Sequence, residues 1–297
     1  MPDAARPDRL STIASAALLG GTVFTLADLF SDNHLFAGIA ITLIVCHILM
    51  RWRHVRTNAK VLLLLAALAL TGCTDLAAIE TEPFTQWVIE DSFCAGRPDW
   101  DHVGATFSDD VHAYETMKIR ILNAGHQVVA NVGEVLGLET IAECMAHPQI
   151  LAFFGKVERT EIAPTVAPVP GKTAAEYVDL IETRFSNPRI IDTTRRVAFD
   201  GSARHPGFVL PILRDQLAAG RSVEGLALVE ALWARMCAAQ RENGSVIEAN
   251  DPIWDTLTKA ANAAKTRPAA WLELSNIYGD LADAAPFRDA FCTWLSL

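Results

Sequence analysis

In the stretch MKIRILNAGHQ, residues 117–127, a lysine, an asparagine and a histidine stand at offsets 0, 5 and 8 from Lys118. On an α-helix, Lys118, Asn123 and His126 point to roughly 0°, 140° and 80°, so all three share one side of an otherwise apolar helix. A lysine desolvated against such a face loses part of its preference for the charged form, which suits a general base near neutral pH. Asn123 can donate its amide hydrogens to a carbonyl oxygen or a developing alkoxide. His126, three residues on, can orient a substrate hydroxyl. Glu115, one turn before Lys118, is placed to exchange protons with it. A structural account fits the same spacing: Lys118 snorkels to solvent, Asn123 opens a helix kink with Ala124 and Gly125, and His126 is a satisfied core residue. Spacing alone leaves both open.

The elements that must carry these groups are mostly helices. Apolar positions recur at three and four across 113–132, which predicts one helix holding the cluster. Further helices are predicted at 138–145, 149–162, 173–185, 189–199, 207–219, 222–242, 251–266, 268–278 and 284–295. Thr173 followed by Glu176 is a capping-box pattern. The proline-punctuated APTVAPVPG, residues 163–171, cannot be helical throughout. Two short β-branched and aromatic runs, 84–89 and 103–107, read as strands. The glycines form neither GxGxxG after a strand nor GxxxxGK[ST], and no alternation of strands and helices could build a doubly wound sheet. No nucleotide-binding motif is legible.

Composition divides the chain into two unlike pieces. Residues 1–60 hold long apolar runs with six basic and four acidic residues; the remainder has 19 basic and 31 acidic residues, a balance of −12. An acidic body of this kind argues against nucleic acid, whose binding rests on neutralising phosphates. The runs 11–30 and 35–50 predict a transmembrane helical hairpin within an apolar segment 1–70. The basic flank RWRHVRTNAK after the second run places both ends in the cytoplasm, with the catalytic body anchored at the inner membrane. Two other readings of 1–70 are buried helices of a soluble fold and residues from a misplaced gene start. The six cysteines show no metal-like spacing and read as reduced, buried small hydrophobes.

Five stretches, in order, resemble the mannitol dehydrogenase family: TEPFTQWVIEDSFCAGRPDW (81–100), MKIRILNAGH (117–126), IAPTVAPVPG (162–171), RFSNPRIID (184–192) and RVAFDGSARHPGFVLP (196–211). These are polyol-specific long-chain dehydrogenases and hexuronate reductases, and the resemblance covers about residues 71–297. It implies a mainly α, helical C-terminal domain of the 6-phosphogluconate-dehydrogenase-like type with a few short strands. The family's K-x5-N-x2-H signature falls on Lys118, Asn123 and His126. By that resemblance Lys118 takes the hydroxyl proton, Asn123 stabilises the oxyanion and His126 binds the polyol. Substrate contacts are implied at Arg196 and, through DGS at 200–202, at Arg204, where the family carries lysine; a guanidinium is larger and forked.

The implied function is oxidation of a polyol to a ketose by NAD or NADP, of mannitol 2-dehydrogenase type. The alternatives are a hexuronate (fructuronate or tagaturonate) reductase, and a non-catalytic remnant or membrane-tethered polyol-binding module. The family places a Rossmann domain ahead of the TEPF segment, and the apolar segment stands there instead. The chain is therefore expected to need a separate Rossmann-domain chain for turnover, since hydride transfer needs the nicotinamide held against the substrate carbon.

Overall fold

A computed structural model describes residues 84–296, and these are mainly helical. Strand β1 (Trp87–Glu90) pairs in parallel with β2 (Ala105–Ser108), Trp87 opposite Ala105 and Glu90 opposite Ser108. Both strands lie within or beside the predicted runs. The connection folds back through a 3-10 turn, Trp100–Val103, which ends at Gly104 with φ 99°. That left-handed conformation costs glycine nothing. Trp87 and Trp100 stack at 5.3 Å between ring centroids.

The helices follow: α1 (Val111–Met117), α2 (Ala124–Leu136), α3 (Ile141–Ala146), α4 (Pro148–Val157), α5 (Ala174–Phe185), α6 (Thr194–Val197), α7 (Gly201–Arg204), α8 (Leu210–Ala218), α9 (Glu224–Cys237), α10 (Trp254–Ala264), α11 (Ser275–Tyr278) and α12 (Ala285–Leu295). Their starts obey local chemistry. Asp110 caps α1 by accepting the Ala113 N–H, and Thr173 with Glu176 closes a complete capping box on α5. Central to the packing is α2, against which α3, α4, α6 and α9 all rest. It is buried on almost every side, from Ala124 and Val128 to Val135, as a helix enclosed by others must be.

The predicted continuous helix over 113–132 needs correction. Between α1 and α2 runs a π-helical segment, Lys118–Asn123, where the Ala124 N–H bonds the Ile119 carbonyl five residues back. Among the described residues two more such segments occur, Glu158–Ile162 after α4 and His205–Val209 before α8. In the last, Pro206 has no N–H to give and its ring crowds the preceding turn, a strain that a wider turn relieves. In α2, just after the first segment, a Cβ on Gly125 would collide with the buried Glu158 carboxyl of the second, so a larger residue there would have to displace that carboxyl. The helix predicted at 189–199 shortens to α6, because Asn187 and Pro188 open a turn and Thr193 caps a new start at the Arg196 N–H.

The expectation of a membrane protein is also corrected. Among the described residues no helix is long and apolar enough to cross a membrane. The apolar segment 1–70, with the hairpin runs 11–30 and 35–50, lies outside the described residues.

Candidate active site

The π-helical turn changes how the opening cluster is presented. Lys118 begins it and Asn123 ends it, so the wider turn lies between the two groups. Asn123 and His126 then line a cavity of about 290 Å³, together with Arg196 and Arg204. Leu122, Val197 and Phe208 supply its apolar wall. The volume is near the lower end of small-molecule sites.

His126, Arg196 and Arg204 are each held from behind. His126 lies flat on Phe185, centroids 4.2 Å apart, and its Nε2 faces Asp192 Oδ2 at 3.6 Å. Burial is the main reason its pKa falls from 6.5 to about 4; Asp192 pulls the other way, while Arg196, Arg184 and Arg204 reinforce the drop. The imidazole is therefore neutral near pH 7. Arg196 is gripped by Asp192 through Nε at 2.8 Å and Nη2 at 2.6 Å, a bidentate pair. Arg204 donates Nη1 to the Val197 carbonyl at 2.6 Å, and Gln127 donates its amide to that same carbonyl at 3.3 Å. Burial, then the charge of Arg196, lowers the Arg204 pKa.

Two of the predicted residues stand apart. Lys118 is exposed and does not line the cavity, so the described residues do not supply the desolvation expected for a lysine base. Glu115 is also exposed and pairs with His112 Nδ1 at 3.2 Å. The sequence reading joined it to Lys118 instead.

The DGS segment has a structural role that its motif form hides. Asp200 adopts φ 58°, and its carbonyl accepts the Ala203 and Arg204 N–H groups. Gly201 lies under the Trp233 indole, where a Cβ would fall 2.5 Å from Nε1. Ser202 is held by Asp251 through both its N–H and its hydroxyl, each at 2.8 Å. These bonds aim Arg204 and the following turn at the cavity. Sequence reasoning missed Asp192, Gln127 and Phe208. Asp192 had a signal, an acid four residues before Arg196 at helical spacing; Gln127 and Phe208 had none, since both look like ordinary helix residues.

A family model for the mannitol dehydrogenase C-terminal domain matches residues 110–296. The mannitol 2-dehydrogenase of Cereibacter sphaeroides is 52% identical over 211 residues, covering 71% of this chain and 44% of that protein. The D-mannonate oxidoreductase of Escherichia coli (strain K12) is 40% identical over 211 residues, covering 70% of this chain and 43% of the relative. Among solved structures, Pseudomonas fluorescens mannitol 2-dehydrogenase in a ternary complex with NAD and D-mannitol superposes with a TM-score of 0.67. That match has 34% identity and covers 72% of this chain and 44% of the other. The chain thus spans under half the length of these relatives.

Proposed function

The chain belongs to the mannitol dehydrogenase family, and from that premise we propose that residues 71–297 form the substrate-binding and catalytic domain of a polyol dehydrogenase. Its helical fold is read as the 6-phosphogluconate-dehydrogenase-like type. The observation that carries the proposal is the convergence of Asn123, His126, Arg196 and Arg204 on one small cavity. These are hydrogen-bonding groups from separate segments, three of them donors and one a neutral imidazole, suited to a ligand dense in hydroxyls. Mannitol, bound in the Pseudomonas relative, is the substrate assigned.

In this reading Lys118 accepts the proton of the reacting hydroxyl, and Asn123 donates to the oxygen as negative charge builds on it. His126 holds a neighbouring hydroxyl, and Arg196 and Arg204 fix the far end of the chain. Glu115 relays the proton from Lys118 to solvent. Lys118 is exposed in the lone domain, so its desolvation comes from a covering cofactor domain and the bound polyol. NAD or NADP is assigned as hydride acceptor from the family. The described residues hold no glycine-rich strand-to-helix turn to cradle a dinucleotide, and their part is confined to the alcohol.

A hexuronate reductase is the second reading, favoured by two guanidinium groups at the cavity and by the D-mannonate oxidoreductase relative. Against it, Asp192 already neutralises Arg196. The third reading is a remnant that binds polyol without turning it over.

The deciding assay mixes the purified chain with NAD⁺ and mannitol, arabinitol or a hexuronate, with and without a Rossmann-domain chain. Turnover is expected only with the added domain, and Lys118→Ala should lower kcat by about 10²–10⁴-fold. Turnover by the lone chain would refute the need for a partner. Polyol binding in calorimetry with no turnover under either condition would favour the remnant.

A further inference from the structure

Asp192 is the one acidic group at the cavity's edge whose place in the site is unexplained by the family signature. The residue is tied at three points, one on its carboxylate and two on its backbone. Arg196 takes both oxygens, at 2.8 and 2.6 Å, while its backbone carbonyl accepts the Ile141 N–H at 2.9 Å and its own N–H reaches the Ile190 carbonyl at 3.0 Å. The His126 ring is equally constrained. Phe185 covers one face, and Phe185 itself rests on Phe154 at 5.6 Å. The fixed ring turns Nε2 toward the fixed Oδ2 across 3.6 Å, too long for a hydrogen bond and close enough for strong electrostatic bias.

A neutral imidazole carries one proton, and its partner decides which nitrogen holds it. A lone pair on Nε2 would face a carboxylate lone pair, whereas an N–H there meets it favourably. We propose that Asp192 is a positioning residue that holds His126 in the Nε2–H tautomer, leaving Nδ1 as a lone-pair acceptor for a ligand hydroxyl. Nδ1 is then the ring nitrogen with a lone pair for a ligand in the cavity that His126 lines. Arg196 then has two tasks, since it anchors the carboxylate that sets the tautomer and also borders the cavity. The ligand half of this inference rests on His126 being a polyol contact; the tautomer half does not.

The test is ¹⁵N NMR of the histidine ring nitrogens in the full chain at pH 7, with His126 assigned by comparison with His126→Gln. Nε2 should resonate as protonated and Nδ1 as unprotonated in the wild-type protein. A wild-type Nδ1–H tautomer overturns the proposal. In Asp192→Ala the Nε2–H preference should be lost and mannitol affinity, read by calorimetry, should fall about tenfold. An unchanged tautomer in a folded Asp192→Ala protein also overturns it. Should that variant fail to fold, Arg196→Ala, which frees the carboxylate, is expected to weaken the same preference, and an unchanged tautomer there counts against the proposal. If the tautomer behaves as expected while mannitol leaves the His126 signals unmoved, Asp192's role stands and the polyol reading of the site falls.

Discussion

His126 and His205 are built from the same parts and end in opposite conditions. Each lies flat on an aromatic ring, His126 on Phe185 at 4.2 Å and His205 on Trp233 at 4.1 Å. Each faces a carboxylate. His205 Nδ1 meets Glu230 at 2.7 Å, its Nε2 meets the Asn131 amide at 3.1 Å, and Tyr278 and Trp271 complete a sealed chain behind Glu230. Every hydrogen-bonding position of that ring is used, and the ring is fully buried. His126 instead borders a cavity, and its carboxylate is already claimed by Arg196. A histidine can act on a ligand only when one nitrogen is left over, so saturation makes His205 a structural group and incompleteness makes His126 a candidate for chemistry.

The two regions should fail differently when cut. Glu230→Ala removes the acceptor shared by His205 and Tyr278 inside the core, and we expect a loss of about 3–5 kcal/mol in denaturant unfolding. A loss under about 1 kcal/mol would mean that the buried network matters little. Gly125→Ala comes next: the new methyl meets the Glu158 carboxyl and lies 3.2 Å from Phe154, and the overpacking should cost about 1–3 kcal/mol. That cost falls beside the cavity, so calorimetry on the same variant should show weakened polyol binding.

A smaller effect depends on pH. The folded protein holds His126 near pKa 4 against 6.5 when unfolded, chiefly through burial. As pH falls below 6.5 the unfolded chain takes up a proton that the folded protein refuses, so this contribution is whole above pH 6.5 and is lost toward pH 4. Thermal melts should show about 1 kcal/mol less stability at pH 5 than at pH 6 from this group, a difference absent in His126→Gln. The smallest change expected is in the stability of Asp192→Ala, within about 1 kcal/mol of wild type, because its partner Arg196 is mostly exposed. A loss as large as that of Glu230→Ala would erase the distinction between the two regions.

Much of the helical framework was legible because its causes are local. The Thr173–Glu176 capping box, the proline-punctuated break at 163–171, and the last helix, predicted at 284–295 and found at Ala285–Leu295, follow from near-neighbour hydrogen bonds and sterics. The π-helical turns were illegible, because an α-helical and a π-helical reading of KIRILN use the same residues and differ only in which carbonyl each N–H selects. The cavity was half legible. Asn123, His126, Arg196 and Arg204 were all singled out from the motifs, while Lys118 was expected on a desolvated face and is exposed.

The sequence by itself determined the helical class, the acidic character of the body and membership in a family whose motifs recur in order, and it singled out Asn123 and His126, which line one cavity. It could do so because capping, periodicity and motif spacing are read from residues a few positions apart. Only the tertiary structure decided that Asp192 backs His126 across 66 residues of chain, that the Glu158 carboxyl crowds Gly125, and that His205 is sealed with both ring nitrogens bonded. Those outcomes depend on which surfaces pack together, and packing sets the burial and the spare hydrogen-bonding capacity on which chemistry depends.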